Sequence, residues 1–139
     1  MDTNVKSMFL LCKYSIPHSL RNRKGGAEIN ISSDLVLSPI PSIDGYAASK
    51  GAMIALSKAM SKNRPKKGNR VNCIAPRPID TPLLHRFIGK DLREFVMSSL
   101  IPMDRLGKPE EIARITLFLA SGDSWFVIGA IFTVNGGLI

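Results

Sequence analysis

The chain has 139 residues, 45% of them hydrophobic, enough for one small globular core, and it shows no internal repeat, low-complexity segment or second domain. Its formal net charge of +8 raises the possibility of nucleic-acid or anionic-surface binding. The basic residues, however, gather in two loop-like clusters, Arg21, Arg23 and Lys24, then Lys62, Arg64, Lys66, Lys67 and Arg70. Neither is interleaved with aromatics that could stack bases, so both read as solvated loops and nucleic acid is excluded as a partner.

Val5, Met8, Phe9, Cys12 and Ile16 recur at helical spacing, which predicts a helix from residue 2 to about 15, ended near Pro17. The apolar run Met8 to Leu11 is interrupted by Lys6 and Lys13 and is far too short for a membrane span. Asp2 stands where a signal peptide would be basic, so a cytoplasmic address is expected. Gly25-Gly26 reads as a loop ending this helix, and Ala27 to Ser32 as a strand. The alternation Glu28, Ile29, Asn30, Ile31, Ser32 gives that strand one exposed face.

A loop with Pro39, Pro41 and Gly45 leads to a helix that bears Tyr46, continues through Met53, Leu56 and Met60 and stops before Pro65. Val71 to Ala75, free of charge, predicts a strand buried on both faces. Loop follows through Thr81, then short helical stretches at Leu83 to Ile88 and Asp91 to Leu100. Pro109 opens a better helix, with Glu110 and Glu111 at the positive end of its dipole, Ile112, Ile115 and Leu119 on one stripe, and Gly122 at its end. Ile131 to Val134 is the last strand. Strands separated by helices imply an α/β fold with a parallel three-stranded sheet. Cys12 and Cys73 form no C-x-x-C pair and read as packing residues; His18 and His85 lack partners at metal spacing, so no metal is expected.

Tyr46 and Lys50, four apart, share one face of their helix, where an ammonium can favour the phenolate and make the tyrosine usable as an acid or base near neutrality. Ser33 lies thirteen residues upstream at a strand end, where a hydroxyl and the phenol can converge. With this spacing, Ser33, Tyr46 and Lys50 resemble the active site of the short-chain dehydrogenase/reductase family. Further segments agree in order: Asp2-Thr3-Asn4-Val5-Lys6-Ser7 resembles the stretch with the family's catalytic asparagine, and Arg70-Val71-Asn72-Cys73-Ile74-Ala75-Pro76 the strand leading to its nicotinamide loop. Ile79-Asp80-Thr81-Pro82, the Arg105 to Ala113 segment and Val134-Asn135-Gly136-Gly137 extend the resemblance nearly to Ile139.

The resemblance implies the C-terminal part of a Rossmann-type, doubly wound parallel sheet and an NAD(P)-dependent alcohol dehydrogenase or carbonyl reductase acting on a small-molecule alcohol or carbonyl substrate. Tyr46 would exchange a proton with the substrate oxygen, Lys50 would favour the phenolate and hold the nicotinamide ribose, Ser33 would orient the reacting oxygen, and Asn4 would complete a water-mediated relay. Pro76, the backbone of Ile79, and Thr81 would contact the nicotinamide of NAD or NADP. Family dimers pack two such helices per subunit, which points to a homo-oligomer through the Val5 to Ile16 and Met53 to Met60 stripes.

No Gly-rich turn joins a strand to a helix anywhere in the sequence, so the chain is expected to lack about the first hundred residues of the family fold and to be inactive alone. The alternatives are a non-enzymatic truncated product that associates with full-length subunits, or one piece of a complete enzyme whose start was misassigned. The sequence departs from the family at Arg77, where glycine is usual, which puts a long side chain beside the expected nicotinamide site, with Pro78 further restricting its backbone. Glu28, Asn69 and Ile128 are further departures.

Overall fold

The computed structural model describes residues 1–19, 21, 25–63, 68–87 and 101–138. A π-helical turn, Asp2–Lys6, runs into α1 (Ser7–Ser19). Then come β1 (Gly26–Ile31), a 3-10 turn (Asp34–Val36), α2 (Asp44–Asn63), β2 (Asn69–Pro76) and α3 (Pro82–Phe87). The last elements are α4 (Pro109–Ala120), a second 3-10 turn (Gly122–Ser124) and β3 (Ile131–Val134). The strands form one parallel sheet in the order β1-β2-β3. Helices α2 and α4 lie on the crossovers that parallel pairing demands. The fold is therefore the expected α/β one, with β1 on an edge.

β2 is the centre of the molecule. Cys73, Ile74 and Ala75 are completely buried, because helical layers cover both faces of the strand. Its side chains alternate between those layers. Val71 lies beside Cys12, Ile16 and Met60, whereas Arg70 and Asn72 reach the carbonyls of Leu119 and Val127 on the other side. Between α1 and α2, Met8, Cys12 and Met53 form a buried cluster flanked by Ile16, Leu56 and Met60. The inward stripe of α2 is Ser49, Met53, Ser57 and Ser61, one residue per turn. Its small hydroxyls bond to nearby groups rather than filling space: Ser57 accepts from the Asn30 amide at 3.1 Å and donates to the Met53 carbonyl at 2.8 Å.

Two expectations are corrected. Helix α1 continues through Pro17 to Ser19. Proline removes one N–H and crowds the carbonyl four residues back, but that residue, Lys13, is exposed in the final turns, where a carbonyl can tilt towards water. Arg70 is not in a solvated loop. It belongs to β2, is 4% exposed, and donates to the carbonyls of Leu119 and Ser121 at 2.8 and 3.0 Å and to the Ser124 hydroxyl at 2.8 Å. The Ser124 hydroxyl also reaches both carbonyls, at 3.0 and 3.2 Å, and the guanidinium joins it in capping the end of α4 from the neighbouring strand. The expected helix at Asp91 to Leu100 lies outside the described residues, as do Ile88 and the basic residues Arg23, Lys24, Arg64, Lys66 and Lys67.

Candidate active site

The parallel register puts the C-terminal ends of all three strands at one edge of the sheet. There Ser33, in extended conformation, caps the 3-10 turn: its Oγ accepts the Leu35 N–H at 3.3 Å. Among the described residues no acceptor takes its hydrogen, so the hydroxyl can still donate. Helix α2 starts at Asp44, which sets Tyr46 in its first turn with the side chain partly in solvent, 39% exposed.

Lys50, one turn on, donates from Nζ to the carbonyl of Ile31, the last residue of β1, at 3.0 Å, and lies 5.9 Å from the Tyr46 ring centroid. Burial pushes the Lys50 ammonium below its ordinary pKa. The lysine thus stands between the strand end and the phenol.

Three hydroxyl and amide contacts fix this turn of α2. Ser32 donates to the Lys50 carbonyl at 2.8 Å, which ties the helix to the end of β1. Ser49 is buried and donates to the Tyr46 carbonyl at 2.8 Å. The Asn4 amide donates to the Ser49 hydroxyl at 2.9 Å, so Asn4 meets the tyrosine turn through Ser49. Asn4 lies within the π-helical turn, an irregularity frequent at functional sites. Sequence reasoning passed over Ser32 and Ser49. The available signal was their spacing: Ser49 is three residues after Tyr46, where a serine hydroxyl reaches back to a helix carbonyl.

The chain leaving β2 forms the other wall. Pro76 pairs with Val134, and Ile79 bridges Gly107, with Asp80 N–H to the Gly107 carbonyl at 2.8 Å and Gly107 N–H to the Pro78 carbonyl at 3.0 Å. Thr81 caps α3, its Oγ1 accepting the Leu84 N–H at 3.2 Å. His85, on α3, is exposed and sits 2.7 Å from an Asp80 oxygen. Among the described residues no group of three His, Cys, Asp or Glu side chains could hold a metal ion. None of the described helices is long and apolar enough to cross a membrane.

Lys50 and Ser33 thus meet the end of β1 at the carboxyl ends of the parallel strands, the edge at which open α/β sheets bind ligands. The whole chain, residues 1–139, matches the family model described as enoyl-(acyl carrier protein) reductase, and the chain belongs to the short-chain dehydrogenase/reductase family. It is 41% identical, over 99% of its length and 47% of the relative's, to an uncharacterized oxidoreductase, YhxC, of Bacillus subtilis. It is 36% identical to the 3-oxoacyl-(acyl-carrier-protein) reductase FabG of Thermotoga maritima, over 100% of this chain and 55% of that one. To a cyclohexanol dehydrogenase of Acinetobacter it is 38% identical, over 98% and 52%. The chain thus spans about half the length of the curated relatives it matches.

Proposed function

We propose that these residues are the proton-transfer and substrate-orienting part of an NAD(P)-dependent carbonyl reductase or alcohol dehydrogenase. The observation that carries the reading is the solvent-reaching Tyr46 with the Lys50 ammonium 5.9 Å from its ring, both on a helix turn pinned to the end of β1. Tyr46 gives a proton to the carbonyl oxygen of the substrate, or takes one from the alcohol. Ser33 donates its remaining hydrogen to the same oxygen and orients it. Lys50 supplies positive charge beside the developing phenolate. Asn4, through Ser49, keeps the tyrosine turn in register.

The residues present fit the nicotinamide end of NAD or NADP. Lys50 can donate to a ribose, while Thr81 and the backbone of Ile79 offer polar groups for a carboxamide. When bound, the nucleotide supplies or accepts the hydride. The sequence offers no Gly-rich cradle for its pyrophosphate, so the 139 residues alone are expected to show no turnover. Small-molecule substrates are implied by the names of the relatives, a 3-oxoacyl-(acyl-carrier-protein) reductase and a cyclohexanol dehydrogenase among them. Association with a second subunit would use the apolar groove between the start of α1 and α2, lined by Val5, Phe9, Ala52, Ala55, Leu56 and Ala59.

The test joins the dinucleotide-binding half of the Thermotoga reductase to Met1 and assays NAD(P)H oxidation against a panel of ketones and 3-oxoacyl thioesters. The joined protein is expected to turn over, and Tyr46→Phe to lower kcat by at least ~100-fold. Turnover that survives Tyr46→Phe overturns the reading.

A further inference from the structure

Arg77 follows β2 directly, where its N–H donates to the Val134 carbonyl of β3 at 3.0 Å. Its side chain crosses the sheet end in the other direction. Nη1 donates to the Ser38 carbonyl at 2.6 Å and lies 3.6 Å from Oδ1 of Asp34, a residue that is fully buried. The second Asp34 oxygen accepts from the Asn135 amide, just past β3, at 2.8 Å. The Asp34 carbonyl, in turn, receives the N–H groups of Leu37 and Ser38 at 2.7 and 3.1 Å. One buried carboxylate therefore joins the segments that leave all three strands, and Arg77 is its only cationic neighbour among the described residues.

The segment so held begins at Ser33, the residue immediately before Asp34. Buried unpaired carboxylates are costly, and a single-sided hydrogen bond from a neutral amide does not compensate one. Arg77 supplies the missing charge and, through Ser38, closes the loop on itself. We propose that Arg77 is a positioning residue: together with Asp34 it clamps residues 33–38 across the sheet end and so holds the Ser33 hydroxyl in place. The functional meaning of the clamp rests on the reading of Ser33 as the oxygen-orienting hydroxyl, but the clamp itself does not.

The clamp is testable on the 139-residue chain by amide hydrogen exchange and urea unfolding, neither of which depends on turnover. In Arg77→Met, the amides of Leu35, Leu37 and Ser38 are expected to exchange at least tenfold faster. The Cys73 amide, bonded to the Ala130 carbonyl in the sheet centre, should change no more than the shift in global stability requires. Arg77→Lys, which keeps a cation, should restore protection to within threefold, a rescue that lost packing alone would not give. Asp34→Asn should loosen the same amides, and the Asp34→Asn, Arg77→Met pair should do so no more than either change alone. Loop amides within twofold of the parent in both single variants, or effects that multiply in the pair, overturn the clamp. A confirmed clamp alongside Tyr46-independent turnover in the joined enzyme would instead leave the clamp standing and remove the reductase reading.

Discussion

One arginine stands at each end of β2, Arg70 within it and Arg77 just past it, and the two do opposite work. Arg70, at the amino end, is enclosed; it bonds two carbonyls and a hydroxyl around the end of α4 and stacks 5.7 Å from the Trp125 ring. It fastens one helix to the sheet. Arg77, at the carboxyl end, is answered by a carboxylate and a loop carbonyl, and the segment it fastens carries Ser33. The same kind of side chain is thus a helix cap at one end of β2 and, just past its other end, a support for the candidate site. The difference follows from the parallel sheet. Helices return to the amino ends of strands, whereas loops that leave the carboxyl ends are open to ligands.

The sharpest way to break this comparison is at the enclosed end. Arg70→Met leaves the Leu119 and Ser121 carbonyls to share the Ser124 hydroxyl and is expected to lower the unfolding free energy by about 3 kcal/mol. A urea titration checks this, and hydrogen exchange at Leu37 and Ser38 should rise only as far as global stability falls. A selective loosening of the Ser33 loop would show that the two ends are not independent.

pH separates the ends next, and in opposite directions. Towards the amino end of β1, Glu28 is half-buried, accepts from Ser19 at 3.4 Å, and has a second oxygen buried without a hydrogen-bond partner, as is the Asn69 side-chain oxygen. Burial pushes its carboxyl up. A carboxyl with a raised folded pKa favours folding fully below its unfolded value, and that contribution is lost as pH rises through the folded one. Glu28→Gln should therefore leave the urea midpoint unchanged at pH 4 and raise it at pH 7 to 8. An unchanged midpoint at both pH values would show that the carboxyl is adequately solvated.

Glu111, beside the Ile79–Gly107 bridge at the other end, behaves in reverse. Arg105 grips both its oxygens, at 2.7 and 2.8 Å, and the Lys108 N–H donates to it at 2.7 Å as half of a capping box. The Arg105 guanidinium, aided by that N–H, lowers its pKa to about 2. Stability from this group is complete above the ordinary carboxylate range and is lost as pH falls from about 4.5 towards about 2. The effect is the smallest of the set, because the pair is open to solvent. Glu111→Gln should lower the neutral plateau slightly, leave stability near pH 2 unchanged and so flatten the acid limb, as circular dichroism at graded pH would show.

Much of the fold was legible because it rests on local periodicity. The predicted last strand, Ile131 to Val134, has the observed bounds, α2 stops before Pro65, and the charge-free run at Val71 to Ala75 is the buried centre of the sheet. Pro17 misled because the rule against proline in helices weakens in a final, exposed turn. Arg70 misled because it adjoins a basic loop in sequence while its partners lie about fifty residues further on, beyond any local window. Tyr46, Lys50 and Ser33 could be picked out by their types and spacing. Ser32, Ser49 and Asp34 could not, since a serine or aspartate near a turn has many uses and only long-range contacts choose among them.

By itself, the sequence determined the order and kind of the elements, which follow from spacing along the chain, and offered Ser33, Tyr46 and Lys50 as candidates through their resemblance to a family pattern. Only the tertiary structure decided what Arg77 does. On the sequence it was an intrusion beside a nicotinamide site; in the fold its partners are Asp34 and Ser38, about forty residues earlier, with Asn135 on the far side of the same carboxylate. Parallel pairing brings those three strand ends together, and a buried carboxylate requires a cation there.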